Sequence, residues 1–227
     1  MIIAIDGPAA TGKSTSAKLV AQKLGYTFLD TGAMYRCVTL SILRDDINLA
    51  DTPKLKALLD KLNIELNQKG VDSVVILNGE DVSSEIRQTE VTNHVSAVSA
   101  LGLVRNALVQ NQRRIANNQD CVIEGRDIGT IVFPDADVKF YLVTNDRVRA
   151  ERRQLDLESI GEKKSINSLI EEIHKRDKHD SERNHSPLRK AEDAIEIDTT
   201  NFTINGQVDF MVNKIKSIIN RKINKNE

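Results

Sequence analysis

The fold is most tightly constrained by ten residues near the start of the chain, Asp6-Gly7-Pro8-Ala9-Ala10-Thr11-Gly12-Lys13-Ser14-Thr15. Residues 7–14 match G-x-x-x-x-G-K-[ST] at every fixed position. That pattern carries chemistry only between a strand and a helix, and both are predicted here. Ile2 to Ile5 form a short apolar run of the kind found in a buried parallel strand. Ala17, Leu19, Val20, Ala21 and Leu24 give the next stretch a helical pattern that Gly25 ends. Gly7 and Gly12 let the backbone curl and aim its N–H groups inward, and the helix N-terminus adds partial positive charge. Lys13 can then reach β- and γ-phosphates as a point charge, and the Ser14 hydroxyl is placed to ligate Mg²⁺. Gly7 to Thr15 are therefore expected to cradle a nucleoside triphosphate. The cradle alone names no reaction, because switches, motors and kinases all use it.

The rest of the chain alternates. Short apolar runs at 26–30, 121–124, 137–143 and 194–198 predict further strands, separated by helical patterns. This predicts an α/β fold with a five-stranded parallel sheet covered by helices on both faces. Residues 64–82 break the rhythm. They alternate in polarity and carry turn signals at Gln68-Lys69-Gly70 and Asn78-Gly79, so small antiparallel strands are expected there. About residues 60–92 thus read as part of an inserted domain. Helical patterning runs from about 85 to 117 with a break at Gly102, and charged helices are expected over 146–158 and 166–183. A last amphipathic helix is expected over 206–220, with residues 221–227 frayed.

Two further constellations follow strands directly, where open α/β sheets bind ligands. The first is Asp30-Thr31-Gly32-Ala33-Met34-Tyr35-Arg36, in which Thr31 can cap the next helix. The second is Glu124-Gly125-Arg126-Asp127-Ile128-Gly129-Thr130. The planar guanidinium of Arg126 suits a phosphate, and Asp127 can accept from an amine or a sugar hydroxyl or bind a hydrated metal ion. A third group is arginine-rich: Arg147, Arg149, Arg152 and Arg153 share one predicted helix. Arg176, Asp180 and Arg183 fall on one face of the next. Helices bearing such arginines beside a short loop, Gly161 to Ser165, can close over phosphates and exclude water.

The chain has 227 residues, with 32 basic against 33 acidic side chains and a net charge of −1. That balance gives no support to nucleic-acid or membrane binding. Cys37 and Cys121 fit no metal-ligand spacing and suit a reducing compartment, so a cytoplasmic location is expected. The absence of a long exposed apolar stripe favours a monomer.

DGPAATGKST, LDTGAMYR, NGEDVSSEIR, EGRDIGTIVFPDA and the late RD…D…R pattern together resemble the bacterial cytidylate kinases, of the nucleoside monophosphate kinase family, over essentially the whole chain. The resemblance implies a P-loop NTPase-type CORE at 1–35, 94–145 and 171–227. It implies an NMP-binding insert with a β-hairpin at about 36–93 and a short LID at about 146–170. The implied reaction passes the γ-phosphoryl group of ATP to CMP or dCMP, with Mg²⁺. It assigns Gly7 to Thr15 to ATP, and Thr31, Tyr35, Arg36, Ser96, Arg105, Arg126, Asp127, Asp180 and Arg183 to CMP. Ser99, one helical turn from Ser96, competes for that serine's role. Lys13, Arg126, Arg152 and Arg176 are implied to be catalytic. The rival readings are a P-loop kinase with another acceptor, such as UMP or AMP, and a nucleotide-dependent switch with none. Arg126→Ala, on the sequence alone, removes a site charge and no core volume, so the variant is expected to fold.

Overall fold

The computed structural model describes residues 1–69, 72–159 and 161–224. The chain forms two compact units. One comprises Met1–Phe28, Ala116–Glu182 and Ser186–Glu227; the other comprises Leu29–Ile115 and Arg183–His185.

The first unit is built on a parallel sheet. Strands β1 (Ile2–Asp6), β2 (Thr27–Asp30), β6 (Cys121–Gly125), β7 (Val138–Val143) and β8 (Ile195–Asp198) lie in the order β2-β6-β1-β7-β8. The numbers skipped belong to β3 (Ile64–Lys69), β4 (Asp72–Leu77) and β5 (Glu80–Asp81) of the second unit. β1 is central: Ile3, Ala4 and Ile5 have no exposed surface. A strand buried on both faces cannot alternate, which explains its unbroken apolar run. Helix α1 (Lys13–Leu24) sends Ala17 and Val20 against the sheet, where Phe140, Leu142, Ile197, Met211 and Ile215 complete the core. The last two come from α8 (Ile204–Ile223). That helix continues past the expected end at 220, so residues 221–223 are helical rather than frayed; residues 225–227 lie outside the described residues.

Gly7 shows why the phosphate loop needs glycine where it leaves β1. Its φ is +146°, and a Cβ there lies 2.3 Å from the Leu142 carbonyl oxygen of the neighbouring strand. Helices α6 (Asp146–Glu158) and α7 (Ile166–Glu182) pack together through Ala150, Leu157, Leu169 and Ile173.

In the second unit, β3-β4-β5 form the expected antiparallel sheet. Asn78 (φ 51°) and Gly79 (φ +88°) make the turn from β4 to β5. The other turn signal ends at Gly70, which lies outside the described residues. Helices α2 (Thr31–Arg44), α3 (Thr52–Lys61), α4 (Thr89–Ala100) and α5 (Gly102–Ala116) account for the helical patterns, with the break before Gly102 as expected. Asp30, not Thr31, caps α2: its carboxylate accepts the Ala33 N–H at 2.8 Å. Arg44 reaches from the end of α2 to Glu80 (2.7 Å) and Glu85 (2.5 Å), fastening the small sheet and the 3-10 turn Glu85–Arg87 to the helix.

Candidate active site

The phosphate loop runs from β1 into α1. Lys13 is buried, and its ammonium donates to the Pro8 carbonyl at 2.6 Å. Burial first, and the Arg126 charge second, push Lys13 down to about 7. An anion beside this lysine would favour its charged form. The Ser14 hydroxyl donates to Glu124 Oε1 at 2.5 Å. This hydroxyl–carboxylate pair, at the start of α1 and the end of β6, offers the hard oxygen ligands that Mg²⁺ takes alongside phosphates. Among the described residues no three acidic, His or Cys side chains cluster as an all-protein metal cage.

Asp6 ends β1 and is buried. It accepts the Ile128 N–H at 2.9 Å and the Gly129 N–H at 2.7 Å. These contacts fix the start of the π-helical turn Ile128–Val132, and with it the segment that carries Arg126 and Asp127. Burial pushes Asp6 up to about 6, against the pull of those two amides. Gly129 is pressed from the other side as well, since a Cβ there would meet the Lys139 stem at 3.0 Å.

Arg126 does not pair with its neighbour Asp127. Its Nε donates to Asp180 Oδ2 at 3.1 Å, from a carboxylate that is itself buried. Burial opposes the Arg126 charge, but Asp180, Glu124 and Asp177 outweigh it and raise its pKa. Arg176 is half-buried; its Nε is enclosed and has no hydrogen-bond partner. Burial and then Arg126 push Arg176 down to about 10. Arg126 and Arg176 thus bring positive charge close to the buried Lys13 and depress it, and a bound anion relieves that repulsion.

The arginines of α6 divide. Arg147 is exposed and pairs with Glu151. Arg149 is buried and donates from Nε to the Ala9 carbonyl at 2.7 Å. Arg152 donates to the Thr11 carbonyl at 3.1 Å, to Thr199 Oγ1 at 3.1 Å and to the Thr199 carbonyl at 3.1 Å. Two of the four therefore grip the phosphate loop itself. α7 stops at Glu182, so Arg183 lies just past its end rather than on its face, and groups with the second unit.

Within the second unit, Thr31 and Tyr35 are buried on α2. Arg36 donates from Nη1 to the Ile86 carbonyl and to Thr92 Oγ1, both at 2.8 Å. Arg105, buried on α5, lies over the Tyr35 ring at 5.6 Å and donates to the Ser99 carbonyl at 3.4 Å. Ser99 is the more buried of the two candidate serines; its hydroxyl donates back to the Ser96 carbonyl at 3.0 Å.

The sequence singles out Glu124 without its Ser14 contact and Arg149 without its Ala9 contact, and gives no role to Asp6 or Asp177. The Asp-Gly step into the loop and the Arg-Asp pair at 176–177 were the available signals. The family model described as "Cytidylate kinase" matches residues 3–217. A protein of Lactobacillus gasseri named cytidylate kinase is 46% identical over 222 residues, covering 98% of this chain and 95% of its own length. Cytidylate kinases of Bacillus cereus (47% identical, 96% and 95% covered) and Bacillus velezensis (50%, 89% and 90%) are similarly related.

Proposed function

The chain belongs to the cytidylate kinase family, and from that premise we propose how its residues divide the work. The reaction transfers the γ-phosphoryl group of ATP to CMP or dCMP, giving ADP and CDP or dCDP. The observation that supports the site assignment is the buried Lys13 of this loop, donating to the Pro8 carbonyl, with the charges of Arg126 and Arg176 close enough to depress it.

On this reading Gly7 to Thr15 hold ATP, with Lys13 on its outer phosphates. Ser14 and Glu124 would hold Mg²⁺, which would supply charge neutralisation on the phosphate oxygens. Phosphoryl transfer needs two anions brought in line and charge stabilised as it spreads over the moving group. Arg126 and Arg176 supply that charge, and Arg152 holds the loop's Thr11 in place. Arg36 and Arg105 are assigned to the acceptor phosphate, together with Arg126. Thr31, Tyr35, Ser96 or Ser99, Asp127, Asp180 and Arg183 are assigned to the rest of the nucleotide. No general base is required, because the acceptor oxygen is already anionic. The functional division is CORE at 1–35, 94–145 and 171–227, NMP-binding segment at about 36–93 and LID at about 146–170. No described helix is long and apolar enough to cross a membrane; a cytoplasmic monomer is the reading adopted.

Base choice follows from hydrogen bonding. Cytosine offers a donor amine where uracil offers an acceptor carbonyl. Asp127, which is buried, accepts from the amine and repels the carbonyl, at ~1–3 kcal/mol per mismatch. Asp127→Asn is therefore expected to narrow the CMP-over-UMP preference about tenfold, measured with both acceptors competing in one reaction. An unchanged preference removes Asp127 from the base site.

A further inference from the structure

Ala9 is held by two residues that lie outside the loop. Asp177, on α7, accepts the Ala9 N–H through Oδ1 at 3.2 Å. Arg149, on α6, donates to the Ala9 carbonyl at 2.7 Å. The two side chains close the ring through an Arg149 Nη2–Asp177 Oδ2 ion pair, and Arg149 also pairs with Asp146 at 3.2 Å. Both polar atoms of one residue are thus fixed by a single ion pair. The next residue, Ala10, has φ 58°, in the left-handed region that an alanine avoids. Such a conformation persists only when its surroundings impose it. Here Arg149 and Asp177 hold the residue before Ala10, and Arg152 holds Thr11 after it. The Ala10 side chain packs against the α6–α7 core of Ala150, Leu157, Leu169 and Ile173.

We propose that Arg149 and Asp177 are positioning residues for ATP: their ion pair grips the backbone of Ala9 and imposes the left-handed turn at Ala10 that shapes the phosphate cradle. The proposal rests on the reading of Gly7 to Thr15 as the ATP site. It couples α6 and α7 mechanically to the loop of residues 7–14. Neither side chain has to touch the nucleotide.

The full-length enzyme is assayed with ATP and CMP titrated separately, comparing the parent protein with Asp177→Asn and Arg149→Lys. Asp177→Asn removes the charge that pairs with Arg149, and Arg149→Lys lacks the two separate donors that reach Ala9 and Asp177 together. KM for ATP is expected to rise about tenfold in each, with KM for CMP within twofold. Ala10→Gly is then added to Asp177→Asn. Glycine adopts φ 58° without strain, so the double variant is expected to recover most of the lost ATP affinity. Lys13→Ala, run alongside, tests the underlying reading. If KM for ATP is unchanged in Lys13→Ala, the cradle assignment fails. If it rises there but not in the Asp177 and Arg149 variants, or if Ala10→Gly brings no recovery, the positioning role fails. Should either variant unfold, ADP binding by Ala10→Gly/Asp177→Asn decides the matter: near-parental affinity supports the role, and a loss equal to that of Lys13→Ala overturns it.

Discussion

Arg126→Ala is expected to lose about 10³-fold or more in kcat/KM with CMP, and to lose stability as well. The first effect follows from removing a guanidinium assigned to the phosphates. The second was not expected from the sequence, on which the variant removes charge but no core volume. The structure shows where the added cost comes from. Asp180 is 3% exposed, and Arg126 is its ion-pair partner at 3.1 Å. Deleting the arginine removes one of the positive charges beside this buried carboxylate, Arg176 being another, so the variant is expected to melt several degrees below the parent. The two effects can be separated. Arg126→Met/Asp180→Asn removes both charges, so it should regain much of the melting temperature and none of the activity. If Arg126→Ala keeps near-parental turnover, the assigned site is wrong. If it keeps the parental melting temperature, the buried pair contributes nothing to folding.

Gly7→Ala should be severely damaging for a single added methyl group. A Cβ at Gly7 falls 2.3 Å from a main-chain oxygen, that of Leu142 in β7, which neighbours β1 in the parallel sheet. A flexible side chain could swing away; a strand in the middle of a sheet cannot. The residue also sits at φ +146°. Overpacking and backbone strain act together, and ~3 kcal/mol or more is expected. Gly25→Ala is the matched control. Its φ is +71°, but a Cβ there meets nothing within 4 Å, so only the left-handed penalty of ~1–2 kcal/mol applies. Thermal unfolding of the two variants should differ by several degrees, with Gly7→Ala the lower and ATP binding lost in it alone. Equal melting temperatures would mean that β7 yields where the packing says it is held.

Much of this architecture is legible in the sequence because local rules carry it. The run Ile2–Ile5 is apolar without alternation because β1 lies between β6 and β7, with helices over it. Asn78-Gly79 announces its turn because few other pairs take two positive φ angles in succession. Partner choice is where local reading fails. Arg126 and Asp127 are adjacent, yet they lie in a bend past the end of β6, and the arginine pairs 54 residues away with Asp180. The cap of α2 slipped by one residue because Asp30 and Thr31 are both good capping types, and only the geometry chooses Asp30. The arginines of α6 looked like one group. Arg149 and Arg152 are i, i+3 and share the face turned to the loop, while Arg147 turns to Glu151. Asp6 and Asp177 bond to backbone amides through folding alone, and no motif marks that task.

The most direct measurement is ADP release with ATP and Mg²⁺, adding CMP, dCMP, UMP and AMP in turn to the purified protein. The account predicts strong turnover with CMP and dCMP, weak turnover with UMP and less with AMP. Turnover led by UMP or AMP would contradict the acceptor assignment, and ADP release indifferent to every acceptor would contradict the kinase itself.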